Sequence, residues 1–390
     1  MLFKLNLVCL QLKCNKMYKR DVSSLIDNHL KRREVILLFG ARQTGKSTLL
    51  DILSKEHKKF KVLNCEQTIV SDTLREMNTP KIMALLDNND IIAFDEAQTI
   101  PKIGKILKLL FDDKNINTKF IATGSSSFEL SNKTGEPLTG RNISFKLFPL
   151  SINEISEKRG WQFVLENLHE LLIYGSYPGV IDLVTKEKRQ KLLSLSNDYL
   201  FKDIFKFEQL RNPEILRKLL KAIALQVGNL VSYQELASLI GVSKQTIERY
   251  LDLLEKSFII FKLGSFSGNL RNELKKRHKY YFFDTGIRNA IINNFADVNE
   301  RVDTGAIWEN FCVSEIIKAN NNKQLFSNFY FWRTYDGAEI DLVEEVDGKI
   351  IAYKFKWGIG RKAKLPASFA GKYNVVDFKV LTPGDLYLLK

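Results

Sequence analysis

The sequence predicts an α/β protein: a parallel sheet with helices on both faces, followed by a helical segment, a winged helix and a further α/β region. Three observations predict it. Short apolar runs at Val35–Phe39, Lys61–Asn64, Ile91–Phe94 and Phe120–Thr123 do not alternate with polar residues. Strands buried on both faces read in this way. Amphipathic stretches at Ser47–Lys55 and Lys102–Leu110 lie between them, and such β-α repetition requires a helix-covered sheet. A glycine-bounded turn follows the first strand directly. Ile143–Leu147 is the candidate last strand.

The 390 residues exceed one ordinary core. At roughly 100–200 residues per domain they imply two to four domains. The expected division is an α/β domain at 17–150, a helical lid or connecting segment at 151–221, the winged helix at 222–290 and a C-terminal α/β domain at 291–390. Tyr174–Gly179 breaks the helical segment, and Asp347-Gly348 marks a tight hairpin. Residues 1–16 are apolar but interrupted by Lys4, Asn6, Gln11 and Lys13, so they do not read as a targeting signal. No apolar run approaches the ~20 residues that span a bilayer, which excludes a membrane helix. Cys9, Cys14, Cys65 and Cys312 form no CxxC pair, which fits reduced thiols in the cytoplasm.

The net charge is +14, with a pI near 9.4. Such a balance favours polyanionic partners such as nucleic acid, although it also suits a merely soluble surface. The excess is concentrated late in the chain. Residues 351–390 hold eight Lys or Arg against two Asp, and RNELKKRHK at 271–279 holds five basic residues against one Glu.

Gly40-Ala41-Arg42-Gln43-Thr44-Gly45-Lys46-Ser47, followed by Thr48, matches GxxxxGK[ST]. The glycines let the main chain approach phosphate where a Cβ would clash. Turned amides and the positive end of the next helix then face the anion. Lys46 is expected on the β- and γ-phosphates of ATP, and Ser47 on Mg²⁺. The strand Ile91–Phe94 ends in Asp95-Glu96. Asp95 is expected to hold Mg²⁺ through its water shell, and Glu96 to orient or deprotonate the attacking water. Thr123 and Ser125 end a third strand on the same rim. They are candidates for sensing the γ-phosphate; a Ser-rich turn that caps a helix is the alternative. Arg141 is a candidate for stabilising transition-state charge, in cis or across the interface of a homo-oligomer, with a surface arginine as the alternative.

These residues carry a resemblance. GARQTGKST, FDEAQ, TGSSSFEL and LTGR resemble a family of prokaryotic ATPases with an AAA-type P-loop NTPase core, similar to the so-called archaeal ATPases and carrying a C-terminal domain of unknown function. The resemblance continues through YGSYPGV (174–180), YFFDTGIRNA (281–290), GAIWENFCVSEI (305–316) and DGAEIDLV (336–343), and covers roughly Tyr18 to Trp357. It implies ATP binding and hydrolysis, and leaves open what the ATP is used for.

Ser232 begins a capped amphipathic helix, Gly241-Val242 forms a turn, and Ser243 caps a second helix. Ile247, Tyr250, Leu251 and Leu254 make one face of that helix apolar, which leaves Lys244, Gln245, Thr246 and Arg249 outside. A DNA-recognition helix presents its reading residues there, but winged helices also serve as protein-packing modules. Finally, Glu309, Asp341 and the 350–356 strand resemble the PD-(D/E)xK nuclease arrangement. Lys354 stands where that resemblance implies an acid, so a working metal site is not expected. Lys354 and Lys356 share one side of a strand and could instead meet a phosphate backbone.

Overall fold

The computed structural model describes residues 17–125, 138–199, 213–267, 278–358, 360 and 362–389. Among them, the first sheet is built from β1 (Val35–Phe39), β2 (Phe60–Asn64), β3 (Ile91–Asp95), β4 (Lys119–Gly124) and β5 (Asn142–Lys146). Its order is β2-β3-β4-β1-β5, and every neighbouring pair is parallel. Each apolar run expected to be a strand is one, within about a residue at either end.

The unbroken apolar runs have a simple cause. Successive side chains of a strand point to opposite faces, and here both faces are covered. Val35, Leu37 and Phe39 pack in the same core as Ile106 and Leu107 of the helix Ile103–Asp112. Ile36 and Leu38 pack in a separate core with Leu49, Leu50 and Leu53 of the helix Lys46–Glu56, and with Val22 and Ile26 of the helix Val22–Leu30. With all strands parallel, the C-terminal ends of β1, β3 and β4 share one rim. The 40–47 loop, Asp95-Glu96 and Gly124-Ser125 therefore sit at the same edge of the domain.

A second sheet holds β6 (Leu230–Val231), β7 (Ile260–Ser265), β8 (His278–Phe282), β9 (Asn328–Arg333), β10 (Glu339–Val346), β11 (Lys349–Phe355) and β12 (Val375–Leu381). Its order is β12-β11-β10-β9-β7-β8-β6. Residues 213–282 run helix Pro213–Leu225, β6, helix Tyr233–Ile240, helix Lys244–Lys256, β7, β8. β7 then pairs in parallel with β9, matching Gly264 to Tyr330 and Ser265 to Phe331. Strands from 222–290 and from 291–390 thus share one sheet, and the expected seam at 290/291 crosses it.

The helix Thr304–Asn322 is buried on most of its surface. Trp308, which is fully buried, donates its indole N–H to the Leu381 carbonyl (3.2 Å). Cys65 and Cys312 carry buried free thiols, and burial pushes the Cys65 thiol up to about 12. Among the described residues, no helix is long and apolar enough to cross a membrane. Residues 1–16, Ser126, Ser127 and the basic tip 271–277 lie outside the described residues.

Candidate functional site

The phosphate loop leaves β1 at Phe39, whose carbonyl accepts from the Leu147 N–H (2.7 Å). A Cβ on Gly40 would lie 2.2 Å from the Leu147 carbonyl oxygen. Gly40 is therefore demanded by the packing of two backbones. Because backbone cannot swing aside, Gly40→Ala is expected to destabilise the domain by about 1–3 kcal/mol, as overpacking does. A urea midpoint equal to that of the parent chain would contradict this.

Gly45 precedes the helix Lys46–Glu56 at φ 100°, in the left-handed region that a side chain disfavours. Thr44 closes the loop on itself by donating to the Ala41 carbonyl (2.9 Å). The Lys46 ammonium, 5% exposed, donates to the carbonyls of Gly40 (2.7 Å) and Ala41 (3.1 Å). Ser47 and Thr48 are exposed at the mouth, and Arg42 and Gln43 are half-buried. These residues line a cavity of about 510 Å³ together with Tyr18, Arg20, Glu96, Leu150 and Pro178. Small-ligand sites of roughly 300–1,000 Å³ are the ordinary range, so a nucleotide fits.

Arg20 was not signalled by any motif. It is buried and braces the loop from behind, donating to Thr44 O (2.7 Å), Phe148 O (2.6 Å) and the Glu154 carboxylate (2.9 Å). Its partners lie 24 to 134 residues away, so local spacing carries no trace of them.

On the neighbouring strands, the Thr123 hydroxyl donates to Asp95 Oδ1 (2.5 Å) and accepts from the Glu96 N–H (3.1 Å). Thr123 thus ties the Asp95 carboxylate to the Glu96 main chain. Glu96 has φ 53°, a left-handed conformation that turns it off the strand end, and it lines the same cavity as Lys46. The Gln98 amide nitrogen donates to Glu96 Oε2. Ser125 is buried at the end of β4, on the same rim.

The Arg141 expectation is corrected for action in cis. Its carbonyl accepts from Val35 N (2.8 Å) at the start of β1, and its guanidinium pairs with Asp112 (2.8 Å). The loop leaves the other end of β1, roughly 15 Å away at about 3.3 Å per residue. Arg141 cannot act in cis on phosphates held there.

The donor set suits Mg²⁺. Ser47 offers a hydroxyl and Asp95 a carboxylate, of which Thr123 uses one oxygen. Among the described residues, no three His, Cys, Asp or Glu side chains gather to hold a metal.

The cavity wall continues into a buried polar node. Leu150 N donates to Ser176 O (3.0 Å), and Ser176 N to the Asp284 carboxylate (2.7 Å). Lys318, on the helix Thr304–Asn322, donates to Leu150 O (3.3 Å), Ser176 Oγ (3.3 Å) and Glu315 Oε1 (2.8 Å). Glu315 also accepts from Ile152 N (2.8 Å). Burial raises the Asp284 carboxyl, although Lys318 and neighbouring N–H groups pull the other way. Helix 304–322 thus reaches the floor of the loop's cavity.

Elsewhere, the helix pair 233–240 and 244–256 is as expected. Ser232 and Ser243 cap it, and Ile247, Tyr250, Leu251 and Leu254 are buried. On its exposed face Lys244 pairs with Glu248 (3.5 Å) and Lys256 with Asp252 (2.8 Å), so acids offset part of the positive charge.

The C-terminal carboxylates are also internally matched. Lys354 donates to Asp341 Oδ1 (2.5 Å), so this ammonium has an acidic partner within the chain. Lys279 of β8 pairs with Glu309 (3.3 Å) and Glu339 (2.6 Å). Burial pushes the Glu309 carboxyl up to about 7 against the opposing pull of Lys279. Burial works to lower the Lys279 ammonium, but Glu309 and Glu339 overcome it.

Residues 165–298 match a domain of unknown function (DUF8612), spanning both the expected helical segment and the expected winged helix, and residues 304–386 match another (DUF4143). The uncharacterized protein Rv2008c of Mycobacterium tuberculosis is 25% identical over 348 residues, covering 89% of this chain and 75% of its own. The uncharacterized protein MJ1544 of Methanocaldococcus jannaschii is 26% identical over 274 residues, covering 65% of this chain and 60% of its own. Among solved structures, the Walker-type ATPase paby2304 of Pyrococcus abyssi has a TM-score of 0.49 at 18% identity, covering 70% of this chain and 96% of its own. Residues 32–156, which hold the phosphate loop, Asp95-Glu96 and Thr123, match the family model described as an AAA domain, and this match supports an AAA-type ATPase.

Proposed function

We propose that this chain hydrolyses Mg-ATP at the 40–47 loop and uses nucleotide state to control its C-terminal part. One observation carries the proposal: Glu96, held by Thr123 and Gln98, lines the same cavity as Lys46 and Ser47. A nucleotide-binding loop alone needs no carboxylate at that place.

In this reading the loop amides and the N-terminal end of helix 46–56 hold the phosphates. Lys46 exchanges two carbonyl partners for phosphate oxygens, which are stronger charge-assisted acceptors. Mg²⁺, when bound, supplies positive charge beside the β- and γ-phosphate oxygens; Ser47 and, through water, Asp95 would hold it. Glu96 orients the attacking water and takes its proton. Ser125 remains a candidate contact to the γ-phosphate from the end of β4.

The buried Leu150–Ser176–Lys318 node favours a switch acting between this site and the C-terminal region. The element order of 213–282 supports the winged-helix reading. The overall charge of +14 supports a nucleic-acid partner, while the ion pairs along helix 244–256 favour protein packing on that face. The nuclease-like reading of 291–390 loses support from the pairing of Lys354 with Asp341 and of Lys279 with Glu309 and Glu339.

The test is phosphate release from ATP, with and without DNA or RNA, and its loss on chelation of Mg²⁺. Lys46→Ala is expected to weaken a fluorescent ATP analogue by about 10–100-fold, the scale of ~1.5–3 kcal/mol for hydrogen bonds to charged groups. Unchanged affinity in Lys46→Ala sinks the assignment. Stimulation by nucleic acid would favour that partner, and its absence a protein one.

A further inference from the structure

Among the described residues, one buried side-chain polar atom lacks a hydrogen-bond partner: the Gln98 amide oxygen. The other end of the same amide donates to Glu96 Oε2. The orientation of this amide is fixed by charge. A carboxylate only accepts, so the nitrogen must face it, and a flipped amide would set oxygen against oxygen. Both amide atoms are borne on one carbon, so the unpaired oxygen sits beside the carboxylate that the nitrogen holds. A buried acceptor without a donor is costly, and such exceptions in a well-packed protein call for an explanation.

We propose that Gln98 is a positioning residue for ATP hydrolysis: its nitrogen fixes the Glu96 carboxylate, and the unpaired oxygen follows from that orientation. This rests on the ATPase reading above. Gln98 itself does not line the cavity; it acts through Glu96, which does. One carboxylate oxygen held in place orients the other for taking the water's proton. The surrounding backbone serves the same end. Glu96 is held left-handed at φ 53°, its N–H is tied to Thr123, and the short helix Ala97–Thr99 is closed by Thr99 Oγ1 donating to the carbonyls of Cys65 (3.1 Å) and Glu96 (2.9 Å). The Gln98 amide is thus carried on a segment anchored at both ends.

Gln98→Leu is expected to lower kcat about tenfold or more, within the range of one positioned polar group, while KM and fluorescent-nucleotide affinity stay within about twofold. Gln98→Glu keeps the shape and the acceptor but sets a second carboxylate against Glu96. Like charges sharing a site raise one pKa, so its acidic kcat limb is expected to move to higher pH, with activity partly restored above that limb. Three outcomes overturn the inference: parental kcat in Gln98→Leu, a raised KM at unchanged kcat, or a pH profile of Gln98→Glu superimposable on the parent. Should Gln98→Leu not fold, the isosteric Gln98→Glu profile decides alone. Glu96→Gln, run in parallel, separates the two failures. If it turns over normally, the ATPase reading falls; if it is inactive while Gln98→Leu is parental, only this inference falls.

Discussion

Glu96→Gln is expected to lower kcat by about 10²–10⁴-fold, the usual contribution of a positioned general base, with ATP affinity kept. The substitution changes one atom and removes the group that accepts the water proton. None of the expected phosphate contacts is lost, because those come from the loop amides, Lys46 and Ser47. The local geometry also survives. Thr123 still accepts from the residue-96 N–H, which is backbone. The new amide oxygen can accept from the Gln98 nitrogen in place of the carboxylate. Single-turnover phosphate release beside a fluorescent-nucleotide titration measures both quantities. Turnover within about threefold of the parent would remove Glu96 from the chemistry.

Lys318→Met is expected to destabilise the chain by about 3–5 kcal/mol, because it leaves a buried charge without its partner. Lys318 and Glu315 have side chains 2% and 1% exposed and pair at 2.8 Å, and Lys318 also favours the charged form of the buried Asp284 carboxyl. Losing the ammonium also strips a donor from Leu150 O and Ser176 Oγ. The double variant Glu315→Gln/Lys318→Met removes the charge of this pair, keeps an acceptor for Ile152 N, and should recover part of the loss. A double-mutant cycle on urea unfolding reads this coupling. A cost below about 1 kcal/mol for Lys318→Met would show that the node does not hold helix 304–322 in place.

How much could be read in advance depended on where each residue's partners lie. The first sheet was legible because strands covered on both faces are apolar at every position, and the phosphate loop because its chemistry is local in sequence. Asp95 and Glu96 were legible for the same reason. Arg20 and Lys279 were not, since each is a buried charge whose partners stand far along the chain; Glu315 and Lys318 pair within one helix, but their contacts to Ile152, Leu150 and Ser176 come from distant segments. A cis role for Arg141 was offered because a strand's two ends look alike in sequence. Only the parallel pairing of β5 with β1 tells which end faces the loop. Thr123 was placed on the right rim, but its contact with Asp95 was not legible, because it depends on the pairing of neighbouring strands. The joining of β7 to β9 left no local mark either, since parallel strands brought together from distant segments share no common turn.

That joining has a consequence for dissection. A fragment cut at residue 290 would carry β7 without β9, baring the peptide groups of Gly264 and Ser265 as a raw border. Such a border is a template for sticking to another copy. The complementary fragment would start from the same defect, with Tyr330 and Phe331 left on an open flank. The two halves are therefore better regarded as cut from one cloth than as beads on a string, and dividing them there would create adhesive surfaces that the intact chain hides.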